Sequence, residues 1–235
     1  MKHLIETTGL SSLPIAEYDR LILDSTKNEI VYRGGVAYEY VDLGLPSGTL
    51  WATMNVGATS ETDYGSYFQW GDTEDKRNAD CSWSSYKYND GSGYSKYNTG
   101  FENTGGTIDN KITLDLEDDA VRVHMEGDWK MPTSALIEEL VAETTNEWIS
   151  NYNGTGVNGR KFTSKKNGNS IFIPASGNRE NSSSNYQGNY GRIWSSSLRI
   201  SGPINAWYLE FSSSDAYAGN DMYGRSNGMS VRGVL

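Results

Sequence analysis

Residues 185–224 read NYQGNYGRIWSSSLRISGPINAWYLEFSSSDAYAGNDMYG, a stretch that mixes two kinds of side chain. Tyr, Ser, Gly and Asn crowd it, while Trp194, Trp207, Leu209 and Phe211 recur as large apolar posts. In AWYLEF (206–211) a period of two puts Trp207, Leu209 and Phe211 on one face of a strand and Tyr208 and Glu210 on the other. The four posts are expected to form the scaffold, each contributing roughly 1.5–3 kcal/mol when buried. The residues between them have the makeup of a recognition surface. Tyr gives wide contact area for two torsions, and Ser, Gly and Asn give adaptable hydrogen bonds.

Outward from this stretch the chain alternates short strands with turns. RKFTS (160–164), SIFIPAS (170–176), RIWSSS (192–197) and GMSVRGV (228–234) read as strands. Upstream, YVDLGLPSGTLWATMNVGA (40–58) alternates around a Pro-Ser-Gly turn, with Trp51 and Val56 as core candidates. DYGSYFQWGDTED (63–75) adds Tyr64, Tyr67, Phe68 and Trp70, and residues 77–107 read as a long polar loop pinned by Trp83, Tyr86 and Tyr88.

Two helices are expected. One covers Leu116 to Met125 and opens on acidic residues that suit the helix dipole. The other is PTSALIEELVAE (132–143), with Thr133 as N-cap and Leu136, Ile137, Leu140 and Val141 on one face. Helices followed by closely spaced strands predict an α+β fold. Residues 1–37 differ in character: YDRLILDSTKNEIVYRGG (18–35) reads as a hairpin, Arg20–Leu23 with Ile30–Tyr32, serving attachment or oligomerisation. Residues 38–235 then form the main domain.

Composition excludes several functions. With a net charge of −10, the chain lacks the surplus Lys and Arg that nucleic acid or an anionic membrane requires. Cys81 is the only cysteine, so neither an internal disulfide nor a multi-thiolate metal site can form. Two histidines leave little for a zinc or His-based catalytic centre. The start of the chain has no apolar run of signal-peptide length, which sets the expectation that it stays in the compartment where it is made.

Taken in order, YVDLGLPSGTLWATMNVGA, YGSYFQWGDT, GDWKMPTSALIEEL, NGNSIFIPASGNR, GRIWSSS, AWYLEF and GMSVRGV resemble the landmarks of the Fibrobacter succinogenes major paralogous domain, over roughly residues 38–235. The resemblance implies a C-type-lectin-like fold of the subtype shared with formylglycine-generating enzymes. It also implies kinship with the variable proteins of diversity-generating retroelements. In those proteins adenines of a template copy are randomised, and the resulting alphabet includes Tyr, Ser, Asn, Asp, Gly, Arg, Leu and Ile but not Lys, Glu, Gln, Met or Trp.

No Lys follows Lys166 here, and Tyr186, Tyr190, Arg192, Ile193, Leu198, Arg199, Ile200, Ser201, Tyr208, Asp215, Tyr217, Asp221 and Tyr223 all fall within that alphabet. These thirteen are the expected ligand-binding face; Gln187 and Met222 fall outside the alphabet. Tyr208, Tyr217 and Tyr223 have a second reading as half-buried strand residues, and Arg192 and Arg199 as ordinary solubilising charge. Arg225 and Arg232 belong to the closing motif, where structural hydrogen bonding is expected.

Enzymatic readings are weaker. A formylglycine-generating activity needs a pair of redox-active cysteines, and a calcium-dependent sugar site needs tripeptides that the chain lacks. Asp118 and Asp119 read as a helix start rather than an acid/base pair or a Ca²⁺ site, and DTEDKRNAD (72–80) lacks EF-hand spacing. The expectation is a non-enzymatic protein without cofactor or bound metal, displaying a diversified surface to a protein or glycan receptor on a host bacterium. It would be associated with a phage tail and form a homo-oligomer, with a trimer as one form. The alternative is a bacterial cell-surface or fimbria-associated structural domain.

Overall fold

The computed structural model describes the backbone of residues 22–23, 29–33, 36–125, 127–219 and 223–235, and the side chains from residue 38 onward within those ranges, residue 102 excepted. The first strands are β1 (Ile22–Leu23), β2 (Glu29–Arg33), β3 (Val36–Asp42), β4 (Leu50–Asn55) and β5 (Phe68–Gln69). Helices α1 (Ala120–Met125) and α2 (Ser134–Glu143) follow, then β6 (Thr144–Ile149), β7 (Gly159–Ser164), β8 (Ser170–Pro174), β9 (Asn178–Glu180) and β10 (Ser183–Asn185). The chain closes with β11 (Gly191–Leu198), β12 (Ala206–Phe211), β13 (Ala216–Gly219), β14 (Gly228–Met229) and β15 (Arg232–Val234). The described residues therefore form a mixed α+β fold with two α-helices and small antiparallel sheets, ordered β1-β2-β3-β4-β15, β10-β9-β14-β5, β11-β12-β13 and β6-β7-β8.

The helices start where local chemistry provides partners. Thr133 accepts a hydrogen bond from Leu136 N at 3.3 Å, and Ile137 and Leu140 are buried. Asp119 plays the same part before α1: its carboxylate accepts from Arg122 N at 3.0 Å and Met131 N at 2.8 Å. Asp118 points elsewhere, into Lys87 and Lys96, so the two acids have separate structural tasks.

The expected strands are present, and β6, β9, β10 and β13 come in addition. β1 pairs with β2 through Ile22↔Ile30, while Arg20, the turn after Leu23 and Gly34–Gly35 lie outside the described residues. β2 also pairs with β3, which crosses residue 38 and pairs with β4, so the hairpin extends a sheet of the main body. At the other edge β15 pairs with β4, and Leu50 and Leu235 exchange backbone hydrogen bonds at 3.1 and 3.0 Å.

Two cores share the interior. One gathers Trp70, Trp129, Trp194, Tyr97 and Tyr208; the other gathers Trp51, Phe162, Ile193, Leu209 and Phe211. Adjacent residues of one strand enter opposite cores, as Ile193/Trp194 and Tyr208/Leu209 do. Strands β11 and β12 are thus covered on both faces, while β13 keeps Tyr217 exposed, whereas strict alternation presumes one wet face. In the long polar loop Tyr86 and Tyr88 are buried as expected, joined by Tyr94 and Tyr97. Trp83 is 40% exposed and rests on the edge of Tyr94, because Tyr94 fills the space beneath it.

Candidate functional site

A cleft of about 340 Å³ opens on the C-terminal half of the chain, lined by Tyr186, Tyr190, Arg192, Glu210, Ser212, Ser214, Asp215, Tyr217 and Tyr223. Its floor is a single row across three strands. Arg192 faces Glu210 in the β11–β12 register, and Glu210 faces Tyr217 in the β12–β13 register. Their side chains follow the register: Arg192 Nε donates to Glu210 Oε2 at 2.7 Å, and the Tyr217 hydroxyl donates to Glu210 Oε1 at 2.8 Å. Both oxygens of Glu210 are therefore engaged.

Burying this ion pair is tolerable because the guanidinium is satisfied on several sides. Arg192 Nη1 donates to Asn178 Oδ1 at 2.9 Å. Its guanidinium carbon lies 5.1, 4.8 and 4.2 Å from the ring centroids of Tyr186, Tyr190 and Tyr223, within cation–π range. Tyr186 and Tyr190 meet edge to face at 5.6 Å, within a turn in which Tyr190 N and Asn189 N both donate to Tyr186 O. Tyr186 itself sits at φ 60, a left-handed conformation rare for a residue with a side chain of this size.

The opposite wall is the β12–β13 turn. Arg160, reaching from β7, holds this turn from behind: its Nη1 donates to Ser212 O at 2.5 Å and Asp215 O at 2.8 Å, and its Nε donates to Asn146 Oδ1 at 2.7 Å. Asp215 Oδ1 accepts from Ser214 Oγ at 3.1 Å. Desolvation first, and the bond to Glu210 second, push the Tyr217 phenol above its ordinary pKa. Tyr223 is raised by desolvation, against the opposing pull of Arg192. Both phenols stay neutral donors around neutral pH.

Six of the thirteen expected face residues line this cleft: Tyr186, Tyr190, Arg192, Asp215, Tyr217 and Tyr223. Arg192 is only 3% exposed, so it acts as the floor, and solubilising charge is not its role. Ile193, Leu198 and Tyr208 are 1–2% exposed and belong to the cores, which corrects their expected placement on the open face. Arg199, Ile200 and Ser201 lie on the connection between β11 and β12, outside the cleft lining, with Ile200 57% exposed. Asp221 lies outside the described residues.

Of the four scaffold posts, Trp194, Leu209 and Phe211 are fully buried. Trp207 is half-buried and outside both core clusters, and Tyr208, on the opposite face of β12, is buried instead. Glycines make room for the buried rings. Tyr208 pairs across the sheet with Gly219, where an added Cβ would fall 2.9 Å from the Tyr208 ring. Phe211 lies over Gly191 in the same way, at 1.8 Å from such a Cβ. Each ring occupies the space that its bare neighbour leaves.

Glu210, Ser212 and Ser214 were missed as cleft residues. The available signal was Glu210 itself, a carboxylate inside an apolar strand, which requires a partner such as Arg192 on the adjacent strand. Arg225 and Arg232 are fully buried; Arg225 donates to Tyr97 O at 3.1 Å and Arg232 to Asn55 Oδ1 and Phe172 O, both at 2.9 Å. The carboxylates of Asp115, Glu117 and Asp118 approach one another within 4.8 Å, the one such cluster among the described residues. The Lys96 ammonium already sits among them, 2.6 Å from Asp115 and 2.5 Å from Asp118, where a cation would stand.

No family model, curated protein or solved structure matches the chain.

Proposed function

We propose that the protein is a non-enzymatic ligand-binding module of C-type-lectin-like fold, and that its tyrosine-lined cleft belongs to a surface diversified by a retroelement. The observation that carries this reading is the convergence of Tyr186, Tyr190, Tyr217, Tyr223 and Asp215, nominated from their place in the permitted alphabet, on one opening. Their chemistry is that of a recognition surface: phenol rings with few torsions, flanked by hydroxyls and one exposed carboxylate. The support beneath them is stiff. Trp194, Leu209 and Phe211 are fully buried, and the turn bearing Ser212, Ser214 and Asp215 is tied to Arg160.

In this reading the module is carried on a phage tail in several copies, so that avidity multiplies a modest single-site affinity for a receptor on the host bacterium. The sheet extension through β1 and β2 is the natural attachment point, since an edge strand offers unpaired backbone groups. The first test is genetic: the neighbouring DNA should encode a reverse transcriptase and carry a near-copy of the segment for residues 185–235, differing at adenines. A copy whose differences fall on all four bases would sink the diversification claim. Loss of receptor binding on replacing Tyr186, Tyr217 and Tyr223 together by Ser tests the cleft.

A further inference from the structure

We infer that the group taken by the cleft is a cation, a lysine or arginine side chain carried on a peptide segment of the partner. This rests on the reading of the cleft as a recognition site and narrows it. Residues 167–235 contain no Lys and five Arg, and four of these, Arg179, Arg192, Arg225 and Arg232, are buried. The fifth, Arg199, is half-buried on the β11–β12 connection, outside the cleft. Arg160, buried behind the β12–β13 turn, donates its Nη1 to the Ser212 and Asp215 carbonyls. Among the described residues the exposed ionised groups near the opening are Asp215, on its rim, and Glu180, whose charge acts on Tyr223.

The cation in the cleft lining, the one such group among the described residues, is already engaged. Arg192 is bonded to Glu210 and Asn178 and packed against three rings, so an arriving carboxylate or phosphate would meet Asp215 and Glu180 without an uncommitted counter-charge. An ammonium or guanidinium meets the reverse. Asp215 Oδ2 makes no protein hydrogen bond among the described residues, and the Tyr186 and Tyr217 side chains are 53% and 40% exposed. Aromatic faces beside a carboxylate attract a cation through both the ring quadrupole and the charge. The volume, about 340 Å³, admits one long side chain with its water.

The test titrates the full chain calorimetrically with acetyl-trilysine amide and with acetyl-triglutamate amide at 0.15 M salt. Trilysine should bind. Asp215→Asn should weaken it about fivefold, as loss of one partly exposed charge pair does. Glu138→Gln, an equal charge change on the exposed side of α2, should leave its affinity unaltered. Failure of trilysine to bind at millimolar concentration, or equal weakening by both substitutions, overturns the inference. Triglutamate binding that Tyr217→Ser abolishes also overturns it, while leaving the cleft a recognition site. If Tyr217→Ser alters no interaction, with these peptides or with the receptor, the reading of the cleft falls as well.

Discussion

Arg192 and Glu210 face each other across β11 and β12 with Nε and Oε2 2.7 Å apart, both side chains almost sealed from solvent, and the tyrosine cleft stands on that pair. Removing one partner leaves an uncompensated buried charge, so Glu210→Ala should lower unfolding free energy by about 3–5 kcal/mol. The double replacement Arg192→Met with Glu210→Leu should recover most of that loss, because two apolar chains of similar volume have no charge to desolvate. Chemical denaturation of Arg192→Met, Glu210→Leu and the double variant measures the coupling.

Contact and core tyrosines should separate cleanly. On the proposed function, the triple change of Tyr186, Tyr217 and Tyr223 to Ser should abolish receptor binding. It should also lower the midpoint of thermal unfolding, because Glu210 loses the Tyr217 donor and Arg192 two of its covering rings, while the transition stays cooperative. Tyr208→Ala should instead cost about 3–5 kcal/mol, as for other fully buried aromatic truncations. Trp207→Ala should cost less than Tyr208→Ala, because Trp207 is half-buried and lies outside both cores.

The two glycines beneath rings should tolerate no side chain. Gly191→Ala would place a Cβ 1.8 Å from Phe211 Cζ, and Gly219→Ala would place one 2.9 Å from the Tyr208 ring. Overpacking of this kind costs roughly 1–3 kcal/mol. Gly191→Ala should be the worse of the two, and urea midpoints would reveal the opposite order if the rings can move aside.

Arg160 supports the cleft without lining it. On the proposed function, Arg160→Ala should weaken receptor binding by loosening the turn that carries Ser212, Ser214 and Asp215, with tyrosine contacts unchanged. Amide hydrogen exchange at residues 212–215 should accelerate in the variant, and unchanged exchange would remove Arg160 from this role.

Two titrations contribute to stability at opposite ends of the pH scale. Burial would raise the Asp118 carboxyl, but hydrogen bonds from Lys87 and Lys96 outweigh it and hold the group well below its usual 3.8. With a depressed folded pKa, this carboxylate stabilises the protein above 3.8 and the contribution is lost as pH falls further. Asp118→Asn should flatten that acid limb. At the other end, burial pushes Tyr67 up to about 12 from 10.0, so stability present below pH 10 is lost between 10 and 12, by about 3 kcal/mol in all. Burial likewise pushes the Cys81 thiol up to about 11, so in the native protein it should resist a thiol reagent at pH 8 and react once denaturant is added.

Much of the architecture was legible from residue order alone. The α2 helix shows in its Thr133 cap and in Ile137 and Leu140 one turn apart, both local properties of a short segment. The strands 160–164, 170–174, 192–197 and 206–211 show in their apolar residues and turn glycines for the same reason. The Tyr-, Ser-, Gly- and Asn-rich composition of residues 185–224 likewise marked the segment that holds all nine residues lining the cleft.

Which side of β12 faces inward was beyond local pattern, because both sides do. A strand between two cores has no wet face for alternation to reveal, so Tyr208 entered one core, Leu209 the other, and Trp207 was left at the surface. Gly191 and Gly219 settled where the rings lie, and the pairing of Arg192, Glu210 and Tyr217 across three strands settled which polar groups meet. Local sequence determined the segments and their composition, since backbone preference acts over a few residues. Burial and charge pairing depend on neighbours distant along the chain, and only the packed tertiary structure could decide them.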